Sequence, residues 1–174
     1  SRLVARLFGL QLSDQSTAIT LDEMRTMVEI GRESGIFKQE KKDMLHSLFD
    51  FSETVVREIM TPRTDTVCIS TSHSVRDAIH LIMEKGHSRI PVYEDKIDNI
   101  IGVVLAKDLL SVSTDHNLDS IRTFMRDTIF IPESKNIEEL LQQMKLSKFH
   151  LAIVVDEYGG MAGIVTLEDI IEEI

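Results

Sequence analysis

Near the end of the chain Gly163, Thr166 and Asp169 stand in the order glycine, two apolar residues, threonine, two further residues, aspartate. A carboxylate in the first turn of a helix can accept the hydrogens of two neighbouring hydroxyls, as an acidic residue reads ribose in dinucleotide folds. A threonine at a strand-to-helix junction stands beside unpaired backbone N–H groups, which attract phosphate. The same residues also spell a capping box, Thr-x-x-Asp, a device that fastens a helix start by about 1 kcal/mol with no ligand. Spacing alone leaves both readings open. Arg89 adds a cation able to grip phosphate through two parallel hydrogen bonds, and its competing assignment is an ion pair with an acid such as Glu84. Arg63 is a second phosphate candidate.

Other constellations carry less. His73, His80 and His87 recur every seven residues, but a helix from Val75 to Lys85 separates the outer two and argues against a three-histidine metal site. Cys68 lies in an expected strand without an activating partner and reads as an inert thiol, and a single cysteine excludes an internal disulfide. Gly159 and Gly160, after Asp156 and Glu157, read as a hairpin turn and not as a phosphate cradle. Met44, Met60, Met83, Met125 and Met144 are expected to fill the core. There is no glycine-rich P-loop, nucleophile elbow or zinc signature, and no set of base, nucleophile and oxyanion donors, so no enzymatic activity is expected.

The elements that must position these residues come in a repeat. After the helix end at Ile59 and Met60, the first copy reads strand Thr66–Ser70, helix Val75–Lys85 entered through Ser74 and Asp77, strand Arg89–Tyr93, strand Ile100–Leu105 and a helix opening near Lys107. The second copy reads strand Thr128–Pro132, helix Ile137–Lys145, strand Leu151–Val155, strand Ala162–Val165 and a helix from Leu167. Val75 matches Ile137 and Arg89 matches Leu151 at a separation of 62, whereas Gly102 matches Gly163 and Asp108 matches Asp169 at 61. One residue dropped from the hairpin explains the step. The order βαββα predicts an α/β (α+β) fold with helices on one side of a small sheet, whose bare face each copy can cover for the other. Before the repeats, a capping box at Thr20 and Glu23 and the apolar residues Met24, Met27, Val28 and Ile30 predict a helix, and Met44, Leu45, Leu48 and Phe49 a second. The expected organisation is a linker and helical arm over 1–52, a first repeat over 53–118 and a second over 119–174.

Composition limits the partners. Nineteen Lys and Arg against twenty-nine Asp and Glu give a net charge of -10, with aromatics at 5% and no Trp, which excludes a nucleic-acid backbone or base-stacking platform as the main partner. At 43% hydrophobic the chain can bury real cores, yet its longest apolar runs fall far short of the ~20 residues that cross a bilayer. The chain opens at Ser1 without Met and closes inside an expected helix, which reads as a piece of something longer. After Lys148 it carries six acids and no Lys or Arg. That set, Glu168, Glu172 and Glu173 above all, is either a magnesium-sensing cluster relieved of repulsion by the ion or a solvated helix face.

Gly163-Ile-Val-Thr-Leu-Glu-Asp169 resembles the motif that closes a cystathionine-β-synthase (CBS) domain. The segments Val56-Arg-Glu-Ile-Met-Thr-Pro-Arg63, His87-Ser-Arg-Ile-Pro-Val-Tyr93, Gly102 to Leu110 and Ala152-Ile-Val-Val-Asp-Glu-Tyr-Gly-Gly160 resemble, in order, the CorC and hemolysin-C-like proteins and their CNNM (cyclin M) relatives. The resemblance implies a tandem CBS pair, a Bateman module, that binds ATP or AMP/ADP, with Mg2+ on the phosphates. It also implies a disc-shaped homodimer formed through the CBS helices, and a parent membrane protein for magnesium or cobalt transport whose transmembrane domain precedes the arm, Ser1–Leu12 being the connection. The module would then be the cytosolic portion of an inner-membrane or plasma-membrane protein. In such modules the early strand of one repeat lies beside the closing motif of the other, which implies that Thr61, Thr66 and Val67 wall the base beside Thr166 and Asp169. The first repeat departs from the motif, with Leu105 where threonine is expected, so Asp108 marks a weaker second site.

Overall fold

The computed structural model describes residues 19–36, 38–111 and 120–174. The connection expected over Ser1–Leu12 and the repeat boundary expected at residue 118 lie outside these residues. The chain divides into two units, residues 1–46 and 47–174.

The first unit holds α1 (Leu21–Glu33) and the start of α2 (Gln39–Glu53). α1 begins with the expected box, Glu23 N donating to Thr20 Oγ1 (3.3 Å) and Thr20 N to Glu23 Oε2 (2.8 Å). Its covered face runs through Val28 and Gly31, so Met24, Met27 and Ile30, expected on the apolar face, stand exposed. Glu29 accepts a hydrogen bond from Lys42 Nζ (2.7 Å) and lies 3.2 Å from His46 Nε2, joining the two helices. The Lys42 ammonium holds the Glu29 carboxyl below its ordinary value.

The second unit carries both repeats. The first repeat comprises α3 (Val56–Ile59), β1 (Thr61–Pro62), β2 (Ile69–Ser70), α4 (Val75–Lys85), β3 (Arg89–Tyr93), β4 (Ile100–Leu105) and α5 (Ala106–Leu110). The second begins with a 3₁₀ turn, Ile121–Phe124, and continues through β5 (Ile129–Pro132), α6 (Ile137–Ser147), β6 (Leu151–Val155), β7 (Met161–Thr166) and α7 (Leu167–Glu172). Ser74 and Asp77 cap α4 reciprocally, and Gly86 ends it at φ 73°. Asn136 Oδ1 caps α6 by accepting from Glu138 N and Glu139 N. That helix outruns its expected end at Lys145 because Lys148, at φ 58°, takes the left-handed stop that Gly86 provides in the first repeat. β3, β4 and β6 have the expected limits. The step from 62 to 61 in repeat spacing lies in the hairpin tips, 94–99 in the first repeat and 156–160 in the second.

Two sheets result, one ordered β2-β3-β4 and one ordered β1-β7-β6-β5. Each has a parallel pair, β2 with β3 and β5 with β6, and an antiparallel hairpin. Val75, Ala78, Ile82 and Leu109 close the helical face of the first sheet over Ile90, Val92 and Val104. Ile137, Leu140, Met144 and Ile170 do the same over Ala152, Val154 and Val165. Between the sheets Ile100 and Val103 of β4 meet Leu151, Ile153 and Met161, the face-to-face layer that the repeat pattern predicts. Met144 is buried, whereas Met44 and Met83 are 65% and 76% exposed and fill no core.

The repeats exchange backbone as well as side chains. β1 belongs by sequence to the first repeat but pairs with β7 of the second, Thr61 opposite Ile164 and Pro62 opposite Gly163. In return Arg126 bridges to β4, its N–H donating to Val103 O (2.8 Å) and Val103 N–H to Arg126 O (2.9 Å). The two glycines at the heads of the closing motifs serve this crossing. A Cβ on Gly102 would sit 2.7 Å from Arg126 O and 2.6 Å from Met125 Cγ, and one on Gly163 would collide with the Thr61 carbonyl. The crossing segment is therefore Thr61–Pro62, and not the expected strand Thr66–Ser70. Residues 63–65 form a turn closed by Thr66, whose N–H (3.1 Å) and hydroxyl (2.9 Å) both donate to Pro62 O, leaving only Ile69–Ser70 extended. Among the described residues no helix is long and apolar enough to cross a membrane.

Candidate functional site

The site is assembled where each closing motif turns from strand into helix. At the second-repeat junction Asp169 Oδ2 accepts from Thr166 N–H (2.7 Å) and from the Thr166 hydroxyl (2.8 Å), while Asp169 N–H donates to Thr166 Oγ1 (3.2 Å). The capping box is thus formed in full. It engages Oδ2 and leaves Oδ1, and among the described residues no cation pairs with this carboxylate.

Arg89 comes to the same junction from the other repeat. Its Nη1 lies 3.8 Å from Glu168 Oε1, in the first turn of α7. The expected alternative partner, Glu84, instead pairs with Lys85 (2.7 Å), which lowers its carboxyl's pKa. Arg89 opens β3 and reaches α7 of the other repeat, while Glu84 stays near the end of α4 beside Lys85. Thr61 is brought beside β7. Thr66 is buried with its hydroxyl spent on Pro62, and Val67 is half-buried in the segment before β2. Arg63 is held by Asp98, with its backbone N–H donating to Ala162 O (2.8 Å).

A cleft of about 910 Å³ opens beside the first-repeat motif. Its walls combine apolar side chains (Val103, Leu105, Met125, Phe149, Leu151) with the basic groups Arg89, Lys107, Arg126 and Lys148 and the imidazole of His150. Against one acid on its wall, Asp127, this local excess of cations in a chain of net charge -10 favours an anion. Only Arg89 of these basic residues is a candidate from the motifs; Lys107 occupies a variable position inside the first closing motif, and Arg126, Lys148 and His150 lie outside the motifs with no distinguishing signal. Asp108, the expected second-site carboxylate, is gripped by Arg126 through two bonds, Nε to Oδ2 (2.7 Å) and Nη2 to Oδ1 (3.0 Å).

The acids after Lys148 lie in the β6–β7 hairpin and on or at the end of α7. Glu168 faces Arg89, Glu172 and Glu173 are exposed, and Asp156 Oδ1 accepts from Tyr158 N–H (2.9 Å) and Gly160 N–H (2.8 Å) to shape the hairpin. Among the described residues no three His, Cys, Asp or Glu side chains converge as a metal site. His73 and His80 share a smaller pocket, about 350 Å³, with Cys68 and Asp77, and His87 is not part of it. Burial pushes the Cys68 thiol up to about 11.

The CBS domain family matches residues 56–115 and 121–174. The magnesium and cobalt efflux protein CorC of Escherichia coli K12 is 33% identical over 152 residues, 87% of this chain and 52% of the relative, so the chain spans about half of that protein's length. The CBS domain of the bacterial CNNM/CorC family Mg2+ transporter superposes with a TM-score of 0.82 at 40% identity, covering 90% of this chain and 96% of the other. The same kind of domain in complex with ATP gives a TM-score of 0.74 at 43% identity, covering 78% and 96%. Two repeats, their exchanged strands and these relatives agree, and the chain belongs to the CBS domain family as a tandem pair of the CNNM/CorC type.

Proposed function

We propose that this CBS pair is a regulatory module that binds ATP, or a related adenosine nucleotide, and controls a magnesium or cobalt transporter through the rest of a longer chain. The observation that carries the reading is the meeting of Arg89 with the first turn of α7, where Thr166 and Asp169 also stand. A ribose takes the unpaired Oδ1 of Asp169, the phosphates take Arg89, and Thr61 and Val67 stand by for the base. A related domain is known in complex with ATP, which supports the ligand class. Magnesium enters on the phosphates, since among the described residues no three acids converge to hold it. The nucleotide acts by binding one arrangement of the pair more tightly than another and is not turned over. Met83, Leu110, Leu146 and Ile171, exposed on α4, α5, α6 and α7, suit a homodimer formed through the CBS helices, and the module faces the cytosol.

Calorimetry with ATP, ADP and AMP, with and without magnesium, tests the reading. Saturable heat that disappears in Asp169→Ala supports it, and wild-type affinity in that variant, or no heat at millimolar nucleotide, overturns it. The completed capping box favours a second reading, a ligand-free dimerisation or docking module in which Thr166 and Asp169 serve the helix alone. That reading predicts a dimer by sedimentation together with silent calorimetry.

A further inference from the structure

The two closing motifs differ at one position that lies outside them. Thr61 and Arg126 are structural equivalents: each sends its carbonyl against the glycine of the other repeat's motif, Thr61 against Gly163 and Arg126 against Gly102. Each is the residue that crosses sheets, opposite Ile164 in one case and Val103 in the other. From equivalent backbone places, a threonine is too short to reach the carboxylate of the adjoining motif, and an arginine is long enough. Arg126 does reach it, closing a two-bond pair on both oxygens of Asp108, whereas among the described residues Asp169 has no cationic partner. Each oxygen that would receive a ribose hydroxyl thus already carries a guanidinium hydrogen bond in the first repeat, and a ribose must displace or share it.

The geometry points to Arg126 as the residue that decides how many nucleotides the module holds: it occupies the Asp108 carboxylate as an internal substitute for ligand and restricts nucleoside recognition to the Asp169 half. The inference rests on the proposed ribose role of the closing aspartates. Leu105, in place of a threonine, weakens the first-repeat half but leaves its carboxylate in position. The nearby cleft already offers an apolar wall and the cations Arg89, Lys107 and Lys148. What it lacks is a free carboxylate at the motif's own position, since Asp127, the other acid on its wall, lies outside the motif.

The exchange of the two equivalent residues is the test, read as ATP stoichiometry by calorimetry with magnesium present, with circular dichroism and urea melts to verify that each variant folds. Wild type is expected to take one nucleotide per chain. Arg126→Thr is expected to take two, the added site being at least tenfold weaker with Asp108→Asn built in. Thr61→Arg is expected to lose the original site. Arg126→Thr combined with Asp169→Ala isolates the first-repeat half, where one nucleotide per chain supports the inference even if wild type binds none, an outcome that would overturn only the Asp169 reading. A folded Arg126→Thr protein that gains no site, alone or with Asp169→Ala, overturns the inference. So does a gained site indifferent to Asp108→Asn.

Discussion

Replacing Gly102 by alanine tests whether the strand exchange is what the motif glycines are for. The added methyl would lie 2.7 Å from Arg126 O and 2.6 Å from Met125 Cγ, against an ordinary contact of 3.4 Å or more. The methionine can rotate away, but the carbonyl is backbone and must retreat by roughly 0.7 Å, by the packing limit that makes inserted methyls costly. Such a retreat stretches the paired bonds between Arg126 and Val103, now 2.8 and 2.9 Å, to about the limit of hydrogen bonding. Two weakened bonds at about 1 kcal/mol each, with overpacking at about 1–3 kcal/mol, outweigh the ~0.4–1 kcal/mol that alanine gains by restricting the unfolded chain. The net loss is about 2–4 kcal/mol, a fall in the urea midpoint of about 1–2 M. Gly160→Ala is the control, since its methyl meets only the movable Asp156 carboxylate at 3.1 Å. If Gly102→Ala melts within about 0.5 kcal/mol of wild type, or no lower than the control, the steric account of the glycine is wrong.

Four further outcomes follow from the same geometry. Lys148→Gly relieves a left-handed backbone at φ 58° and should raise the urea midpoint, by about 0.5–1 kcal/mol of stability. Thr166→Ala removes the hydroxyl end of the α7 capping box and should cost about 1 kcal/mol, with Thr166→Ser restoring most of it in the same melt. The Asp77 carboxyl is held below its ordinary value by hydrogen bonds from Ser74, so its contribution to stability is complete above that ordinary value and is lost as pH falls through the lower native one. Ser74→Ala should flatten that acid limb and raise the Asp77 titration seen by NMR. With its thiol at about 11 against an ordinary 9.0, Cys68 should alkylate roughly a hundredfold more slowly than a free thiol at pH 8, measured by mass spectrometry.

The elements were legible in the sequence where local signals decide them. Short continuous apolar runs set β3, β4 and β6, and Ser74 with Asp77 set the start of α4. The Thr166–Asp169 spacing gave its capping box and its candidate carboxylate together, because one geometry serves both. What escaped was non-local. No periodicity marks two residues such as Thr61 and Pro62 as a strand when their partner is β7, and Thr66 reads as extended until Pro62 claims its N–H and hydroxyl. Arg126 carries no motif, and its meaning comes from the crossing that lines it up with Thr61. The acids after Lys148 look like one cluster along the chain, but Asp156 and Glu157 lie in the β6–β7 hairpin and the rest on or at the end of α7, where Glu168 meets Arg89 and Asp169 closes the capping box.

The exchange of β1 also fixes a time order for making the protein. Pro62 leaves the ribosome about a hundred residues before its partner Gly163, and at ~5–20 residues per second it waits for seconds with its edge unpaired. The sheet that receives β1 cannot be completed until β7 has emerged, so the opening segment of the first repeat, Val56 to Pro62, finds its place only as the second repeat is finished.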